Sequence, residues 1–262
     1  MFYHKIYGPV VLEKGWVPAP RYLLRRARIM ELFKDIPQRT LLEVGCGAGT
    51  ILHELGKKGY VCDAVESSRK ALEIATYVNR NLANVTIHKK IPAKKKYDIF
   101  MSYEVLEHIE QDVKALKDWS SYVKKNGILL LSVPAHMSKW GHSDVWAGHF
   151  RRYEKKELVE KIRNAGFEVE KIESYGYPLS NFVEPIRNYY YGRKLKAIKQ
   201  EGDFAKTVRT GESGVSRSAE NKVFPVFSRW PMTWIMLLFF KFQNLFLDMD
   251  MGTGYLLLAR KK

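Results

Sequence analysis

From residue 40 to residue 133 the chain alternates short apolar runs with segments whose apolar positions recur every three or four residues. The runs fall at 40–45, 60–66, 84–89, 97–102 and 127–133, and helical spacing fills 50–58, 68–80 and 111–124. Strands alternating with helices predict a parallel sheet covered by helices on both faces. Right-handed crossovers then gather the carboxyl ends of the strands on one rim, where ligands bind. A helix at 154–165 that stops at Gly166, a strand at 167–174 and a last strand at 255–260 extend the pattern.

The flanks read differently. Residues 1–20 are aromatic and punctuated by prolines, which predicts an irregular arm. Tyr22, Leu23, Ala27, Met30 and Phe33 recur at helical spacing over 20–34, with Arg21, Arg25, Arg26 and Arg28 on the other faces. Residues 136–153 are polar and aromatic and read as loop, and 177–199 as partly helical. Gly, Ser, Thr and charge dominate 200–222, which predicts a mobile lid. The apolar run 230–247 is broken by Lys241, Gln243 and Asn244 and is short for a membrane span. It reads as a buried cap helix, with a membrane-contacting helix as the rival reading.

Composition narrows this further. The 262 residues suffice for one large domain with an appendage, and two cysteines, Cys46 and Cys62, suit a reduced, cytoplasmic chain without a disulfide framework. The first twenty residues lack the apolar segment of a secretory leader. The net charge is +16. Residues 1–40 carry 8 Lys+Arg against 3 Asp+Glu, 41–175 carry 22 against 18, and 176–262 carry 14 against 7. The excess sits in the two arms, which predicts an anionic acceptor, an acidic membrane surface or nucleic acid as partner.

The chemistry begins at Leu41-Leu42-Glu43-Val44-Gly45-Cys46-Gly47-Ala48-Gly49-Thr50. Alternating glycines between a strand and a helix let a ligand lie against the main chain, and the helix start offers unpaired N–H groups. A dinucleotide site would read G-x-G-x-x-G, whereas Thr50 stands here at its last glycine. Glu43, at the strand tip, can accept from an ammonium group. Glu66, closing the second of these strands, can take both hydroxyls of a ribose.

Glu43 to Gly49, then Glu66, then Tyr103-Glu104-Val105-Leu106-Glu107-His108-Ile109 together resemble the class I S-adenosylmethionine-dependent methyltransferases. The resemblance is to the branch that includes ubiquinone-biosynthesis, natural-product and glycan O-methyltransferases, and it covers residues 38–175. It implies an α/β, Rossmann-like, seven-stranded, mostly parallel sheet. A helical basic arm (1–37) would precede the core (38–175). A cap insertion (176–251, with the mobile loop 200–222) would come before the final strand (252–262). It also implies S-adenosyl-L-methionine as cofactor and S-adenosyl-L-homocysteine as product. Glu43, Gly45, Gly47 and Gly49 would surround the methionine part, Glu66 and Ser67 the ribose and adenine, and Tyr103, Glu104, Val105 and His108 the wall near the sulfonium. Lys90 joins this set, although the family's acidic residue after the third strand is missing from His88-Lys89-Lys90-Ile91-Pro92.

The acceptor side is predicted in 136–153, whose Gly148-His149-Phe150-Arg151-Arg152-Tyr153 looks like the G-H-x-R-R-Y segment of that branch. Histidine offers a base near neutral pH, and arginine a bidentate grip on a carboxylate or phosphate. His149, His142, Tyr153, Arg151 and Arg152 are the candidate catalytic residues, with bracing of the loop as their structural alternative. The expected reaction is O-methylation of an anionic small molecule or peptide, a carboxylate ahead of a hydroxyl. The rival is a membrane-associated enzyme acting on a lipid, quinone or lipid-linked glycan. The Asn-Pro-Pro-aromatic signature of base-modifying enzymes is missing, which argues against nucleic acid, and no metal is expected because the histidines and cysteines lack ligand spacing.

Overall fold

Seven strands form one sheet in a computed structural model that describes residues 1–93, 95–197, 214, 215 and 217–262. A hairpin of β1 (Phe2–His4) and β2 (Gly8–Val10) leads into α1 (Pro20–Leu32). The alternating unit follows: β3 (Thr40–Val44), α2 (Thr50–Lys57), β4 (Val61–Val65), α3 (Arg69–Asn79), β5 (Val85–His88), β6 (Tyr97–Tyr103), α4 (Asp112–Ser121) and β7 (Val123–Pro134). Then come α5 (His142–Ala147), α6 (Lys155–Asn164), β8 (Phe167–Tyr175), α7 (Leu179–Ala197), α8 (Ser218–Phe227), α9 (Met232–Phe242) and β9 (Gly254–Lys261).

The sheet order is β5-β4-β3-β6-β7-β9-β8, parallel except for β9, which runs antiparallel to both its neighbours. Alternation along each central strand divides the core. Leu41 and Leu130 face a cluster with Ile51, Leu52 and Leu55 of α2. Leu42, Leu129 and Leu131 face another with Leu116, Trp119, Leu158 and Ile162 of α4 and α6. A sheet covered on both faces needs apolar residues at consecutive strand positions, which is why these strands read as unbroken runs. The chain reverses its strand order beside β3, so the carboxyl ends of β3 and β6 open the crevice where such sheets bind ligands.

Three segments depart from the sequence reading. The arm expected to be irregular contains the hairpin, whose Tyr7 packs with Phe224 of α8. The expected loop 136–153 contains α5, framed by Gly141 and the left-handed Gly148. Of the expected lid 200–222, α8 already begins at Ser218, and the remainder lies largely outside the described residues.

Candidate active site

Gly45, Gly47 and Gly49 all hold positive φ, at 74, 56 and 67°. Their reasons differ. A Cβ on Gly45 would stand 2.3 Å from Val105 Cγ2, and one on Gly49 would stand 2.7 Å from Asn79 Nδ2 and 2.9 Å from Ala75 Cβ. A Cβ on Gly47 would meet nothing within 4 Å. The outer glycines serve the protein's own packing, and the middle one opens onto space. Glu66 closes the turn, accepting from the N–H groups of Gly47 and Ser68 at 2.8 Å each. With the amides of Gly47, Ser68 and Ser67 on it, the carboxylate keeps lone-pair capacity for the ribose contact expected of Glu66. Burial raises its pKa, against the pull of the amides of Ser68, Gly47 and Ser67. Ser67 and Lys90 are both exposed.

Glu43 lies buried beneath the turn with Oε2 unpartnered. Burial pushes its pKa up to about 8, with Arg25 opposing and Glu66 adding to the rise. The buried Tyr103 hydroxyl is unpartnered as well. An orphaned carboxylate beside an open glycine cradle fits the ammonium end of the expected cofactor, because buried polar groups require partners.

At the end of β6 the chain turns sharply through Glu104, with φ of 57°. Arg21 Nη2 approaches the Glu104 carboxylate at 2.8 Å and Arg25 Nη1 at 3.4 Å, while the Tyr175 hydroxyl donates at 3.0 Å. Burial pushes this carboxyl up, but the two guanidiniums outweigh it and hold the group ionised. Glu107 is fully buried and neither oxygen has a hydrogen-bond partner. Burial, and next the charge of Glu104, push its pKa far up. The adjacent carboxyls are thus driven apart, one charged and one neutral. His108 falls to about 4, through burial first and His149 next.

His149 completes the group. Its Nδ1 lies 2.8 Å from Asp144 Oδ1, its Nε2 lies 3.9 Å from Glu107 Oε1, and its ring stands edge-on to His108 at 4.7 Å. Asp144 is held far below the usual carboxylate range: His149 and Arg152 outweigh its burial. Glu107, His108 and His149 present ligand atoms within 4.8 Å of one another, so these three could hold a metal ion. The expectation of no metal rested on linear spacing, whereas a short helical turn and a loop forty residues on bring these donors together.

Three of the other predicted catalytic residues, Arg152, Arg151 and Tyr153, are tied to carboxylates of the protein. Arg152 is 1 % exposed and its guanidinium ties Asp144, at 2.8 and 2.9 Å, to Glu184 of α7 at 2.5 Å. Arg151 pairs with Asp112 at 2.9 Å and donates to the Glu110 carbonyl. Tyr153 is fully buried and donates to Asp112 at 3.0 Å, and its pKa is driven far up by burial and then by Asp112. Both arginines are engaged with carboxylates of the protein, with Arg152 Nη1 left buried and unpartnered, and the raised pKa of Tyr153 does not suit a base. His142 is exposed, its ring lying over Gly192 of α7, and the structure does not bring it to Glu107, His108 and His149. Arg21 and Arg25 reach the rim without having been foreseen. Their spacing of four on one helix face was the available signal.

The methyltransferase domain family profile matches residues 19–172. Among curated proteins the chain is similar to the ubiquinone biosynthesis O-methyltransferase of Rickettsia canadensis (strain McKiel), 23% identical over 171 residues, 58% of this chain and 72% of that one. The enzymes of the same description from Rickettsia typhi (28% identical, 42% of this chain) and Pelagibacter ubique (25%, 42%) match over 46% and 48% of their lengths. The chain thus spans about half the length of these two. Among solved structures it is similar to the cyclase SpnF (17% identity, 100% of this chain and 87% of that one, TM-score 0.56). It is also similar to coclaurine N-methyltransferase bound to N-methylheliamine and SAH (16% identity, 90% and 72%, TM-score 0.53). At such identities the likeness concerns the fold alone.

Proposed function

The chain belongs to the methyltransferase domain family, and on that premise we propose that it transfers the methyl group of S-adenosylmethionine to a hydroxyl oxygen of an anionic acceptor. The cofactor assignment accords with the unpartnered Glu43, the open Gly47 and the position of Glu66. Methyl transfer from a sulfonium is an in-line displacement, so holding the acceptor oxygen behind the methyl supplies much of the rate. A hydroxyl must also lose its proton.

The observation that carries the choice of acceptor is the Asp144–His149 contact beside Glu107 and His108. A carboxylate on Nδ1 fixes the tautomer and leaves Nε2 as the acceptor for a hydroxyl proton. A carboxylate acceptor would need no base, and the arginines that favoured it, Arg151 and Arg152, are engaged with Asp112, Asp144 and Glu184. Arg21 and Arg25 share the single carboxylate of Glu104, and the positive charge left over at the rim supports an anionic acceptor. The relatives named as ubiquinone-biosynthesis O-methyltransferases agree with an oxygen acceptor.

Two measurements test this. Calorimetric titration with S-adenosylhomocysteine should show binding, and Gly47→Arg should abolish it. Methyl label transferred into a small-molecule extract should then survive mild alkali, as an ether does. Release of the label as methanol would mean an ester and overturn the hydroxyl assignment.

A further inference from the structure

Helix α9 is apolar on two faces. Met236, Phe239 and Phe240 turn inward onto a cluster with Leu23 and Leu24 of α1. Trp234, Leu238 and Phe242, at intervals of four, lie on another face, 56, 44 and 45% exposed, and Leu245 in the turn beyond is 66% exposed. A surface helix of a soluble protein keeps one apolar stripe; a second one in water marks an interaction face. Ile235, Leu238, Phe242 and Leu245 border a groove of about 610 Å³ on this side. Trp230, 81% exposed, stands at the bend between α8 and α9.

Charge identifies the occupant. Residues 221–247 contain Lys222, Arg229 and Lys241, all exposed, and no acidic residue, with Glu220 and the exposed Asp248 at the two ends. An isologous contact with a second copy would set these cations against their own kind. No single helix among the described residues is long and apolar enough to cross a membrane. The pair Glu220–Phe227 and Met232–Phe246 is bent by 97°, so it does not run straight through a bilayer. Tryptophan rings over aliphatic side chains, with lysine and arginine at the margin, are the composition of a segment lying at the headgroup boundary.

We propose that the exposed face of α9, with the α8–α9 bend, docks on an anionic bilayer surface. The aliphatic and aromatic side chains enter the acyl boundary while Lys222, Arg229 and Lys241 meet acidic headgroups. The assignment is independent of the methyl acceptor's chemistry, since it uses no residue of the rim.

The test is co-sedimentation of the full chain with extruded vesicles. Binding is expected to phosphatidylcholine mixed with phosphatidylglycerol, and roughly tenfold weaker binding to phosphatidylcholine alone or in high salt. The triple variant Trp234→Ser, Leu238→Ser, Leu245→Ser should bind about tenfold or more weakly, with its circular dichroism and S-adenosylhomocysteine affinity unchanged. Should that variant misfold, Trp230→Ser, at a site nearly all in solvent, should still lower vesicle binding severalfold. Lack of vesicle-dependent sedimentation overturns the proposal. So does a dimer in light scattering that the same substitutions dissociate while lipid has no effect, because a second copy then covers the face. Equal binding by wild type and variants overturns it too.

Discussion

A methyl group added at Gly47 meets no atom within 4 Å, whereas one at Gly45 lands 2.3 Å from Val105 Cγ2. Gly47→Ala therefore carries only the strain of a left-handed alanine, about 1–2 kcal/mol, and places its Cβ in the open space we assign to the cofactor. Titration with S-adenosylhomocysteine should show at least a roughly tenfold loss of affinity, with a modest change in melting temperature. Gly45→Ala should instead lower the melting temperature first, since Val105 must move. Glu43 sets a second expectation. Its pKa of about 8 lies above the unfolded value, so the buried acid's stabilising contribution is complete below the unfolded carboxyl pKa and is lost as pH rises through about 8. A cofactor ammonium needs the carboxylate, so cofactor affinity should rise from pH 6 to pH 8 with proton release, and Glu43→Gln should flatten that slope. The turn and Glu66 were legible in the sequence because their partners lie within a few residues or one crossover. Glu104's cations were not, because Arg21 and Arg25 come from a helix eighty residues upstream.

At the scale of elements, α5 shows what periodicity cannot detect. Six residues between two glycines make no apolar stripe, and the helix is held by polar bonds: Asp144 accepts from the N–H of Gly141 and is anchored by Arg152. Arg152 in turn fastens α5 to α7 through Glu184, and Ser143 meets Glu184 and Asn188. The residues were visible, but their partner on α7 was not. Removing the cation leaves Asp144 and Glu184 buried without it. Arg152→Met should destabilise the protein by about 3–5 kcal/mol in urea unfolding. Adding Glu184→Gln to that variant should recover part of the loss. A lysine at 152 should restore little, because one ammonium cannot reproduce the forked geometry. If Arg152→Met left stability intact and abolished only turnover, the bracing role would be wrong. Helix α9 was foreseen as a helix from its composition, but not as the buried cap expected, since Met236 is buried while Trp234, Leu238 and Phe242 are 56, 44 and 45% exposed. The sequence could not say which of its apolar stripes lies inward, because that depends on α1 arriving from the other end of the chain.

For the molecule as a whole, the positive excess of residues 1–40 takes on a different meaning. The sequence presents it as a basic arm open to acidic partners. The structure turns four of its arginines inward: Arg26 onto Glu54, Arg28 onto Glu173, and Arg21 and Arg25 onto Glu104. The first two pairs are buried, and the bidentate Arg28–Glu173 contact, at 2.8 and 2.9 Å, spans 145 residues. The arm is therefore part of the core's charge balance and completes the rim of the site. A chain beginning at Gln38 would lose the pairs of Arg26 with Glu54 and of Arg28 with Glu173, leaving Glu173 only Lys171. It would also uncover the apolar residues that Leu23 and Leu24 now meet. Both losses act against the roughly 5–15 kcal/mol that holds a typical domain together. The shortened chain should show no cooperative thermal transition and no near-ultraviolet dichroism. A shortened chain that melts cooperatively and binds S-adenosylhomocysteine as well as the full one would make the arm a true appendage. Its charge would then be free for an external partner after all.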